Sequence, residues 1–229
     1  GEVRAAHGTA GGNASSTTPA FIQFFPGSEH MFLATRNYST AVVVQVLLNP
    51  YLAVLYTQDN LTSQPLDVSE TVQDNDVATV FNIGTMSTLV NGDYILVGAR
   101  EQYRGVRVDM TATVNGTASV LLVEYWNGSG WVSLSATDAT DSGGATFAVD
   151  GTVSWTISAT VKGNWGSYSL NDIISKQPIS GATPVPFSFA QEDADRLTKL
   201  YWTRWSVSVA LDSATIESMQ AMNHDINNM

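Results

Sequence analysis

Along most of this chain apolar and polar positions alternate with a period of two, the pattern of β-strands that turn one face to a core. Residues 200–211 are the clearest case: Tyr201, Thr203, Trp205, Val207 and Val209 oppose Trp202, Arg204, Ser206 and Ser208. Two earlier runs are apolar on both faces. In residues 41–48, Val42, Val44, Val46 and Leu48 face away from Ala41, Val43, Gln45 and Leu47. Residues 51–56 repeat the pattern beyond the Asn49-Pro50 turn. Such runs suit central strands covered on each side. Shorter strands are predicted at 95–97, 106–114, 119–126, 131–134, 146–149 and 153–157.

Turn chemistry supports the same picture. Asn91-Gly92, Asn115-Gly116, Asn127-Gly128 and Asp150-Gly151 each lie between β-rich runs. These pairs adopt the positive φ that tight hairpins need, so each is predicted to close a turn. Short strands, frequent turns and almost no helical period predict an all-β fold, an antiparallel β-sandwich that is jelly-roll-like. Pro178, Pro184 and Pro186 discourage strands in residues 163–199. A long surface loop is predicted there, with one helical turn between Gln191 and Arg196. Residues 1–20 are almost all small or polar, including Gly8, Gly11, Gly12 and Ser15-Ser16-Thr17-Thr18. They have too little apolar surface to offset the entropy of ordering. The expected plan is a flexible N-terminal arm, 1–20, and one sandwich domain, 21–229.

Composition narrows the chemistry. With 229 residues the chain can bury a core unaided. Charged residues make up only 14% and the formal charge is −11, so clustered phosphate contacts and a nucleic-acid partner are not expected. There is no cysteine, which excludes disulfides and thiolate chemistry. Gln45 and Asn49-Pro50 interrupt the most apolar stretch, so no membrane span is predicted.

Candidate sites are sparse. His7, His30 and His224 have no metal-motif spacing, and no serine sits in a nucleophile elbow. Asp74-Asn75-Asp76 lacks the glycine and distal glutamate of a calcium loop. Asp138, Asp141 and Asp150 could converge on a metal, but Asp is also a common turn former. Glu101 and Glu124 are the glutamates beside strong strands. Glu124 is expected to pair with an arginine before it acts as a general acid. Trp126, Trp131 and Trp155 are expected in the core, whereas Trp165 and Tyr168, in a glycine-rich loop, are expected to be exposed and able to bind a partner. Sequons at Asn13, Asn37, Asn60, Asn115 and Asn127 fit the high Asn, Ser and Thr content without implying secretion.

Residues 93–211 resemble a β-sandwich module of tailed-bacteriophage virion proteins. The matching residues are Asp93-Tyr94, Val97-Gly98, Val123-Glu124-Tyr125-Trp126-Asn127-Gly128, Trp131, Thr137-Asp138, Thr140 and Gly144. Gly151, Val153-Ser154-Trp155, Trp165, Tyr201-Trp202 and Arg204 continue the match. The chain departs from the pattern at Ile157-Ser158-Ala159, where a proline is usual, and in the long 163–199 segment. The resemblance implies a non-enzymatic virion component without cofactor or metal. It implies a capsid decoration (cement) protein on the outer shell, with the major capsid protein as partner. A tail, baseplate or head–tail adaptor is the alternative within that setting. A carbohydrate-binding module is the alternative from another class, resting on an exposed Trp165 and Tyr168. A symmetric homo-oligomer is expected, a trimer before a dimer. Phe21, Phe24 and Phe25, directly after the arm, are the expected anchor, or else simply a first strand.

Overall fold

The computed structural model describes residues 52–58, 65–74, 76–176 and 199–222. The expected arm, Phe21, Phe24, Phe25, the 41–48 strand, all three histidines and the predicted turn between Gln191 and Arg196 lie outside those residues. The described chain is mostly β. Six strands, β1 (Leu52–Thr57), β2 (Leu66–Asp67), β4 (Tyr94–Ala99), β6 (Leu121–Trp126), β7 (Trp131–Ser133) and β10 (Tyr201–Val207), form one sheet in the order β2-β1-β4-β10-β6-β7. Five more, β3 (Phe81–Asn82), β5 (Gly105–Met110), β8 (Thr137–Asp138), β9 (Gly151–Ser154) and β11 (Thr215–Met222), form a second in the order β3-β11-β5-β9-β8. Every strand pairing is antiparallel. The fold is therefore an antiparallel β-sandwich. The narrower jelly-roll expectation does not follow from this strand order.

Alternation explains the layering. Val54, Tyr56, Ile95, Val97, Val123, Tyr125 and Trp205 point from the six-stranded sheet into a core shared with Val106, Val108, Val153, Ile216 and Met219. Many of the intervening residues of the six-stranded sheet are apolar too, with the Glu124–Arg204 pair among the exceptions. Leu55, Tyr94, Leu96, Trp126 and Trp202 form a second cluster on its outer face, covered by Leu170 and Ile173 of α2 (Leu170–Lys176). This is why β1 and β4 are buried at every position. The outer face of the other sheet is polar, with Arg107 and Asp109 of β5 paired at 2.6 Å.

Three expectations need correction. First, residues 163–199 are not one uninterrupted loop. Helix α1 (Ala159–Asn164) is capped by Ser158, whose side chain accepts from the Val161 N–H, and α2 begins where the Ser169 hydroxyl accepts from the Asp172 N–H. Second, one of the four glycine turns behaves as predicted. Asn127-Gly128 joins β6 to β7, with Gly128 at φ 95° and the Asn127 side-chain oxygen Oδ1 accepting from the Ser129 and Gly130 N–H groups. Asn91-Gly92 instead ends a short 3-10 turn, Leu89–Asn91, and Gly151 opens β9 while the Asp150 carboxylate accepts from the Met110 N–H at 2.7 Å. Asn115 is buried, its amide bonded to the carbonyls of Thr117 and Thr146. Third, residues 146–149 form no strand, and β11 follows the strand expected to be last.

Candidate partner-binding surface

The predicted Trp165–Tyr168 surface does not exist as a pair of exposed rings. Trp165 is 1% exposed. Helix α1 delivers it into the core between the sheets, where its ring lies 5.3 Å from Tyr103, 5.9 Å from Tyr125, 6.1 Å from Tyr201 and 6.4 Å from Trp155. Its ring is held by packing: among the described residues the indole N–H has no hydrogen-bond partner. Gly163 and Gly166 flank it, and that context made it read as a loop residue. An aromatic ring this large stabilises the fold far more inside than out.

Tyr168 belongs to the other side of the six-stranded sheet, where it packs on the Trp126–Trp202 cluster. Its backbone pairs with Leu200 in both directions, at 2.9 and 3.1 Å, and its carbonyl accepts from the Trp202 indole N–H at 2.9 Å. Gly128 at the hairpin tip lies so close to the Tyr168 hydroxyl that a Cβ there would collide with it. Lys176 completes the contact, its ammonium 5.4 Å from the Tyr168 ring centre and 3.3 Å from the Gly128 carbonyl. Tyr168, partly buried, joins the β6–β7 hairpin to α2.

Glu124 behaves as the sequence suggested. It stands directly across from Arg204 in the β6–β10 pairing, and one carboxylate oxygen accepts from Arg204 Nε at 2.9 Å and Nη2 at 2.6 Å. Both side chains are only 12% exposed. The guanidinium also lies 5.0 Å from the Trp131 ring and 5.8 Å from Tyr94, so rings and carboxylate together replace its hydration shell. Glu101 is exposed in the β4–β5 connection. Trp126 and Trp155 are buried as expected.

The acidic loops serve their own backbones. Asp138 accepts from the Thr140 N–H and hydroxyl, Asp141 from Gly144 N–H and Asp74 from Asp76 N–H. Among the described residues no three His, Asp or Glu groups come together as metal ligands. The exposed Asp212 carboxylate is held below the usual range, chiefly by the Gly116 N–H. Burial raises the Tyr103 phenol far above its ordinary value, opposed by its bond to Thr203, and raises Tyr94 despite bonding to Thr57 and the charge of Arg204.

Sequence reasoning missed the hub of the inter-sheet core. Tyr103 Oη lies 2.6 Å from Thr203 Oγ1 and donates to the Val97 carbonyl at 2.9 Å. Trp205 Nε1 donates to the same Thr203 hydroxyl at 2.9 Å, and Trp155 Nε1 to the Tyr103 carbonyl at 2.8 Å. Thr203 lies on the apolar face of its strand, the one available signal. No protein-family model, no curated protein and no solved structure matches this chain.

Proposed function

We propose that this chain is a non-enzymatic structural protein of a virion, a decoration protein that stabilises joints between major capsid subunits on the outer shell. The observation that supports this reading is where the residues resembling the phage module fall. Though far apart in sequence, they interlock. Gly98 lies under the Trp202 ring, Glu124 pairs with Arg204, Arg204 stacks on Trp131, and Trp155 packs on Trp165. A framework set is what a shared scaffold would keep, and a scaffold suits a protein that acts by contact area. Many weak contacts suffice on a closed shell, because neighbouring sites stand at high effective concentration.

The carbohydrate-binding alternative rested on Trp165 and Tyr168 lying exposed together, and the burial of Trp165 removes that support. Mass spectrometry of purified particles tests the proposal. A decoration protein is expected at on the order of hundreds of copies per shell, as icosahedral symmetry requires. About a dozen copies would instead favour the tail or head–tail adaptor. Absence from particles would overturn both.

A further inference from the structure

Strand β2 is two residues long and, among the described residues, pairs with Leu55 and Tyr56 of β1 alone. Beyond it, side chains meet the β1 backbone. The Leu52 N–H donates to Gln73 Oε1 at 2.8 Å, and Gln73 Nε2 donates to the Leu52 carbonyl at 2.6 Å. A side-chain amide here copies both bonds of a neighbouring peptide unit. At Val54 the N–H donates to Ser69 Oγ at 2.9 Å and the carbonyl accepts from the Val68 N–H at 3.0 Å. Gln73 Nε2 also donates to the Ser69 carbonyl at 2.6 Å, and Ser69 Oγ to Asp67 at 2.5 Å, which fixes both side chains. The same turn reaches the other sheet. The Val72 carbonyl accepts from the Met219 N–H of β11 at 2.8 Å, beyond the Thr215 and Ile216 positions that β3 covers.

We propose that the Ser69–Gln73 turn is a built-in plug that closes the β1 edge against strand addition by a second copy of this chain. Unpaired backbone groups on an edge recruit other strands, and proteins block such edges with local devices. The sequence of β1 makes a second copy the fitting occupant. Leu-Ala-Val-Leu carries no charge, proline or glycine, so two copies could pair antiparallel about a two-fold axis.

Sedimentation velocity over a concentration series, with amide hydrogen exchange, tests the plug in the full chain. Gln73→Ala is expected to add a heavier species that grows with concentration and is absent from the intact chain. Exchange of the Leu52 amide should quicken roughly tenfold, as the loss of one net hydrogen bond implies. Gln73→Lys loses the same bonds but places a charge on the edge. It should exchange as fast as Gln73→Ala without the heavier species. Unchanged sedimentation of Gln73→Ala would overturn the proposal, as would equal association of both variants, which would trace to destabilisation. If Gln73→Ala does not fold, Ser69→Ala decides: faster Val54 exchange with weak association supports the plug, and either one missing overturns it.

Discussion

Removing the Thr203 hydroxyl should cost more than removing any methyl from the same core. Thr203 is fully buried, and its single oxygen joins Tyr103, Trp205 and Val97. The directions that use every donor run from Trp205 Nε1 to Thr203 Oγ1, on to Tyr103 Oη and then to the Val97 carbonyl. Thr203→Val keeps the shape and deletes the middle of that line. Tyr103 keeps its bond to Val97, but the Trp205 N–H is left unpaired where water cannot reach. A buried unpaired donor costs about 1–3 kcal/mol, and losing the Tyr103–Thr203 bond brings the expected total to about 2–3 kcal/mol. In a domain this size each kcal/mol lowers the melting temperature by about 2–4 °C, so a fall of about 5–10 °C is expected. Urea unfolding should show a lower midpoint with an unchanged slope. Thr203→Ser keeps the hydroxyl and should lose only about 1 kcal/mol, for the missing methyl. In the Thr203→Val background, Tyr103→Phe should cost less than it does alone, because the pair is coupled. Were Thr203→Val within about 0.5 kcal/mol of the intact chain, or Thr203→Ser the worse variant, the hub would be mere packing.

Gly98→Ala puts a Cβ 2.7 Å from the Trp202 ring, and scanning calorimetry should show a loss of about 1–3 kcal/mol from overpacking. Glu124→Gln leaves the enclosed Arg204 guanidinium with a neutral acceptor, and urea unfolding should register a loss of about 1–3 kcal/mol that salt changes little. Burial raises the folded-state values of Tyr103 and Tyr94 above 10.0. The unfolded chain therefore ionises first: stability holds below about pH 10 and falls as pH rises beyond it, more gently in Tyr103→Phe, as urea midpoints across that range would show.

Where strands keep strict alternation, sequence and structure agree closely. Leu52 to Tyr56 and Tyr201 to Val207 were legible because both faces or one full face are apolar. Strand β11 was missed for a physical reason. Its pairing shifts between Ile216 and Ser218, so its inward residues Ile216, Met219 and Ala221 are spaced three and then two apart. The helices escaped notice because each is under eight residues long, although Ser169 with Asp172, and Leu170 with Ile173, carry a start signal and a helical spacing. Turn composition misled at Asn115-Gly116 and Asp150-Gly151, where the Asn and Asp side chains tie distant segments together and close no hairpin. Trp165 could not be placed from its neighbours, since the four rings around it come from segments before and after it. The Glu124–Arg204 pair needed only the strand register.

The position of β10 sets a schedule for biosynthesis. It lies between β4 and β6, pairing with both, yet leaves the ribosome long after either. Until it arrives, β4 and β6 each present an unpaired apolar edge to solvent. Translation at about 5–20 residues per second makes that interval on the order of ten seconds. Closure then depends on partners about a hundred residues apart meeting, as Tyr103 and Thr203 do, a topology that folds slowly. Nascent chains halted before Tyr201 should therefore bind holdase chaperones and be cleaved readily by protease, whereas release of the completed chain should switch both off together.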